Sequence, residues 1–121
     1  MKKREIHIDI YEYDVTYIEI TSPKDKRLVE DVMVEMGCSE DDLNEIRFCF
    51  DNGFVDGGFT LRNLIKKVFL VLVFPCTTKE RRRMVVNHEK RHVEDRILEH
   101  CDVKDIEAAA YLAGYLSMFI Y

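Results

Sequence analysis

Apolar and polar residues alternate near the start of the chain. Ile6, Ile8 and Ile10 are separated by His7 and Asp9, and Val15, Tyr17, Ile18 and Ile20 resume the pattern after residues 12–14. A period of two in β-branched and aromatic residues predicts two paired strands, or one long bent strand, between residues 5 and 20. Tyr11, Tyr13 and Tyr17 are expected to cover that sheet with rings that keep a polar tip. The period then changes. Ser22-Pro23 is a helix start, Leu28, Val29, Val32, Met33 and Met36 form one apolar stripe, and Gly37 supplies the stop. Ser39 with Asp42 predicts a short helical turn, after which Ile46, Phe48 and Phe50 alternate as a strand.

Asn52-Gly53 and Asp56-Gly57-Gly58 are turn signals, and the residues between them are expected to be the most mobile of the chain. The run Val68-Phe69-Leu70-Val71-Leu72-Val73-Phe74 reads as a central strand buried on both faces and ended by Pro75. Thr77 with Glu80 is a capping box that opens a long helix reaching about His100. Asp102 is the expected cap of a last helix from Val103 onward, whose Ala108, Ala109, Ala110, Ala113 and Gly114 let another helix come close. Together these elements predict an α+β fold with one domain over residues 1–121. A mixed or antiparallel sheet of roughly three to five strands packs on an N-terminal helix, and a C-terminal αα-hairpin follows.

Composition narrows the function classes. With 47% apolar and 34% charged residues the chain is neither disordered nor fibrous, and its net charge of -5 gives no general attraction to nucleic acid or anionic lipid. The apolar run before Pro75 is too short to span a bilayer, and the alternation after Lys2, Lys3 and Arg4 is not that of a signal peptide. The expected location is the cytoplasm. Cys38, Cys49, Cys76 and Cys101 are widely spaced and form no Cys-x-x-Cys pair, so they are expected to be reduced thiols, most of them in the core.

The chemistry concentrates in His88-Glu89-Lys90-Arg91-His92 on the long helix. Residues four apart share one helical face, so His88 and His92 can direct two imidazoles at one metal ion. Glu89 then lies where a general base would take a proton from activated water. A wheel places Val85, Val86, Glu89, Val93 and His100 on one broad inward arc, with the two histidines at its edge. Glu99 and His100 lie on the order of 10–12 Å along the helix axis from His92 and cannot share its ion. Glu107 is the candidate third ligand. A short turn at Cys101-Asp102 would fold the last helix back antiparallel, and two histidines with one glutamate form an established catalytic zinc set.

His88-Glu89-x-x-His92 followed by Glu107-Ala108-Ala109-Ala110-Tyr111-Leu112-Ala113-Gly114 resembles the zinc-binding core of gluzincin-type metallopeptidases. It is similar above all to their compact members, the minigluzincins and the small prophage-type proteases that cleave repressors. The resemblance implies a zincin-like domain in which His88, His92 and Glu107 bind Zn2+ and Glu89 is the catalytic base. It further implies a sheet edge that pairs with a peptide or protein substrate. Tyr111 and Tyr115 are its candidates for stabilising the transition state. Lys90 and Arg91 stand where members usually carry at least one apolar or small residue. The reaction so implied is hydrolysis of an amide bond by zinc-activated water. The alternative is a zincin-like protein without activity, or a non-enzymatic module that binds a protein or nucleic acid through Arg81, Arg82 and Arg83. The acidic surface disfavours nucleic acid, and oligomeric state has no signature in the sequence.

Overall fold

A computed structural model describes residues 1–121. Strands β1 (Lys2–Ile8) and β2 (Tyr13–Glu19) pair antiparallel, which settles the opening alternation as a hairpin. Helices α1 (Lys26–Met36) and α2 (Glu40–Asp51) follow, then the hairpin β3 (Gly58–Asn63) and β4 (Val68–Val73), and finally helices α3 (Lys79–His100) and α4 (Ile106–Ser117). The sheet is mixed and four-stranded in the order β1-β2-β4-β3, with β2 and β4 parallel at its centre and β1 and β3 at opposite edges. The fold is α+β, as expected. No helix is long and apolar enough to cross a membrane.

The sheet separates two cores. Phe69, Val71 and Val73 of β4 face α3 and α4, while Leu70, Leu72 and the adjoining Phe74 face α1 and α2. An uninterrupted apolar strand is what burial on both faces requires. Each side is closed by helices with apolar stripes: Val29, Met33, Leu43, Ile46 and Phe50 on one, Val86, Val93, Ile97, Leu112 and Leu116 on the other.

Four expectations are corrected. Ile46, Phe48 and Phe50 lie in α2, not in a strand, because Ser39 caps a helix with Glu40, Asp41 and Asp42 in its first turn. Leu43, Ile46 and Phe50 then fall on one helical face, and Phe48 is exposed. Tyr13 and Tyr17 are fully buried rather than surface cover. Thr78, not Thr77, caps α3, accepting from the Arg81 amide, because Thr77 is tied to Asp56 through its amide and its hydroxyl. Asp105, not Asp102, caps α4, so the connection runs from Cys101 to Asp105, with Asp102 in the left-handed region at φ 53°.

Candidate metal centre

Helix α3 lies across the sheet with different neighbours on its two flanks. One flank meets the edge strand β3. A Cβ placed on Gly58 would come within 2.5 Å of the Leu72 carbonyl oxygen and 3.0 Å of Glu89 Cγ, so only glycine lets strand and helix approach this closely. The other flank meets α4. There the Lys90 ammonium lies 3.0 Å from Glu94 Oε2 and donates to Ser117 Oγ at 2.9 Å and, more weakly, to the Ala113 carbonyl at 3.5 Å.

His88 and His92 sit on the β3 flank and are exposed, while Glu89 between them is buried. Their rings stand nearly perpendicular with centroids 4.6 Å apart, and the two Nε2 atoms are separated by 3.1 Å. Two nitrogens bound to one tetrahedral zinc at about 2.1 Å lie about 3.4 Å apart. The pair is therefore close to ligand spacing before any ion arrives. Glu89 Oε1 accepts a hydrogen bond from the Thr60 hydroxyl at 2.9 Å, and Oε2 lies 4.0 Å from His88 Nε2. One donor atom from each of His88, Glu89 and His92 fits within 4.8 Å of the other two.

Glu89 makes no contact with a lysine or arginine; its one charge-bearing neighbour is His88. Glu89 is only 5% exposed, and the groups at its carboxylate are the Thr60 hydroxyl and the His88 imidazole.

Glu107 and Tyr111 are not brought to this point. Lys90 is two residues, about 200° of helix, from either histidine, so a helix packed on Lys90 lies across α3 from them. Helix α4 moreover reaches the opposite sheet edge, where Tyr115 donates to the His7 carbonyl and Arg4 of β1 donates to the Phe119 carbonyl. Glu107 is exposed in the first turn of α4, and Tyr111 lies beside Ile8, Asp9, Ile10 and Tyr11. The expectation that the hairpin would carry Glu107 to the histidines treated α3 as a cylinder with equivalent sides; α4 packs on the side that carries Val86, Val93, Ile97 and Lys90, and Glu107 does not join His88, Glu89 and His92. Glu99 is exposed, and His100 is also set apart, sharing a hydrogen bond with the buried Tyr13 hydroxyl.

Of the two residues between Glu89 and His92, Lys90 lies across the helix from the histidines, whereas Arg91, three residues from His88, lies on a neighbouring face. Lys90 spans to α4, and Arg91 pairs on the surface with Asp95 at 3.0 Å. The three-arginine run does not form one patch either. Arg82 turns inward, its Nε donating to Glu19 Oε1 at 2.9 Å, while Arg81 and Arg83 are exposed. Burial pushes the Glu19 carboxyl up, but hydrogen bonds from Arg82 and Tyr17 and the arginine's charge outweigh that and hold it below the ordinary carboxylate range.

Two contributors had no signature in the sequence. Gly58 was visible only as part of a turn, and nothing in the pattern singled out Thr60. Their roles depend on the register of β3 against α3, which the sequence does not disclose.

No protein-family model matches the chain, and no curated protein or solved structure matches it.

Proposed function

We propose that the protein is a zinc-dependent hydrolase of peptide or protein amide bonds. The observation that carries this reading is the pair of Nε2 atoms 3.1 Å apart beside a buried carboxylate that has no cation of its own. His88 and His92 would hold the ion, a borderline acid suited to imidazole, and solvent or substrate would fill the remaining positions. When bound there, zinc supplies Lewis-acid polarisation of a carbonyl and makes water nucleophilic near neutral pH. Glu89 Oε2 accepts the proton of the attacking water and returns it to the departing amine, while Oε1 stays on Thr60. A ligand set of two protein side chains holds zinc more weakly than three.

A peptide fits the surroundings. Strand β3 has an unpaired outer edge beside Glu89, and main-chain groups of an extended chain can add to such an edge. Next to it a groove of about 370 Å³, lined in part by Phe54, Met84, Val85, His88 and Glu89, offers an apolar seat at the reacting carboxylate. The four unpaired cysteines suit a reducing compartment such as the cytoplasm.

The test is zinc content at equilibrium, measured by dialysis against a small excess of free zinc. Wild type is expected to bind about one equivalent, and His88→Ala and His92→Ala less than roughly a tenth of that. Glu107→Ala is expected to match wild type, because α4 packs on the Lys90 side of α3. Zinc lost in Glu107→Ala would mean that α4 turns toward the histidines and supplies the third ligand. Wild type with no bound zinc would end the hydrolase reading.

A further inference from the structure

Glu89 could serve a metal in either of two ways, as a third ligand or as a base held just outside the ligand set, and the two exclude each other for one oxygen. We infer that Thr60 makes this choice: its hydroxyl anchors Glu89 Oε1 to the edge strand and so keeps the carboxylate off the metal and free to act as a base. The inference rests on the metal reading of His88 and His92 and assigns Thr60 as a positioning residue for that site.

Three observations support it. The Thr60 hydroxyl lies 2.9 Å from Glu89 Oε1 and 3.2 Å from the Glu89 carbonyl oxygen, so its single proton has both acceptors on the same residue. The stem of Glu89 is wedged as well, since the space a Gly58 side chain would need is closed by Glu89 Cγ and by Val85 Cγ1. The result is an Oε2 that stops 4.0 Å from His88 Nε2. A carboxylate oxygen and an imidazole nitrogen bound to one tetrahedral zinc lie about 3.4 Å apart. Oε2 thus falls short of ligand spacing while the histidine pair is already near it.

Without the Thr60 hydroxyl, Oε1 is a buried acceptor with no donor, and the nearest remedy is rotation of the carboxylate toward the cation. Thr60→Val keeps the shape of the side chain and removes only the donor, and Thr60→Ser keeps the donor. Glu89 then moves from base to ligand in the first variant and stays in place in the second.

Cobalt(II) titrations of the full chain, followed by visible absorption, test this without a substrate. Wild type is expected to show a spectrum that changes with pH across the neutral range as the solvent on the cobalt ionises. Thr60→Val should bind cobalt roughly tenfold more tightly, with an altered spectrum whose pH-dependent change moves to higher pH, because one solvent position remains and the added carboxylate offsets part of the metal's charge. Thr60→Ser should behave as wild type. In a Glu89→Gln background Thr60→Val should leave the spectrum of the single variant unchanged, because no carboxylate remains to move. Thr60→Ala, which also lacks the hydroxyl, replaces Thr60→Val if the latter does not fold. Cobalt bound by both wild type and Thr60→Val with the same spectrum, affinity and pH response would overturn the role of Thr60 and leave the histidine site intact. Absence of cobalt binding by wild type would overturn the metal reading and the inference with it.

Discussion

Glu89 and Glu94 are the two buried charged residues of the chain, each 5% exposed, on the same helix and five residues apart. Glu94 has a lysine. Lys90 lies 3.0 Å away on the α4 flank, contacts α4 with the same ammonium, and neutralises the carboxylate within the protein, although Oε2 is left without a well-directed hydrogen bond. Glu89, on the β3 flank, has a threonine hydroxyl and two histidines that open to solvent. The first arrangement is closed and holds two helices together. The second lacks one positive charge at a place where an ion can enter. That difference separates a structural carboxylate from a chemical one more clearly than the five-residue motif does.

The largest effect should come from opening the closed side. Lys90→Met leaves Glu94 ionised and unpartnered between α3 and α4, and breaking a buried pair in this way costs about 3–5 kcal/mol. Urea unfolding should show that loss, and Lys90→Met with Glu94→Leu should recover most of it, since removing both charges is often neutral or stabilising. A single variant as stable as wild type would mean that Glu94 takes up a proton at little cost, and the contrast between the two carboxylates would lose its physical basis.

A smaller loss is expected where α3 meets β3. Gly58→Ala places a methyl within 2.5 Å of the Leu72 carbonyl oxygen, a backbone atom that cannot swing away. The strand or the helix must shift, at about 1–3 kcal/mol by analogy with overpacked cores. Because Glu89 Cγ is the next atom met, the shift should also lower metal retention, and Gly58→Ala with wild-type zinc content and stability would show that the β3 flank is not the rigid seat described above.

Much of the frame was legible in the residues. The alternation of Ile6, Ile8, Val15 and Tyr17, the two-sided run at β4 and the stripe from Val29 to Met36 each express one burial pattern, and each stands where the period placed it. Phe48 misled because it is an exposed aromatic between two buried residues, which imitates a strand; the acidic first turn after Ser39 was the stronger signal. The histidine pair was legible because four-residue spacing is a property of the helix alone. Glu107 and Tyr111 were not, because their distance from that pair depends on which side of α3 receives α4. Helix α4 packs Leu112 and Leu116 on the side of α3 that carries Val86, Val93, Ile97 and Lys90, across the helix from the histidines.

The smallest effect has the opposite sign and sharpens the comparison. Glu89→Gln keeps an acceptor for the Thr60 hydroxyl and removes a buried negative charge that no lysine or arginine balances. In metal-free protein it should therefore raise stability, by about 1 kcal/mol, whereas loss of the charge partner at Glu94 lowers it. Zinc should reverse the order. The ion stabilises whichever form binds it better, by RT ln(1 + [L]/Kd), and the carboxylate form gains the more because its charge then faces a cation. Urea midpoints of wild type and Glu89→Gln, each with a chelator and with excess zinc, give the four values needed. A Glu89→Gln variant less stable than wild type in the chelator would show that the carboxylate of Glu89 is already accommodated inside the fold and that its burial needs no metal.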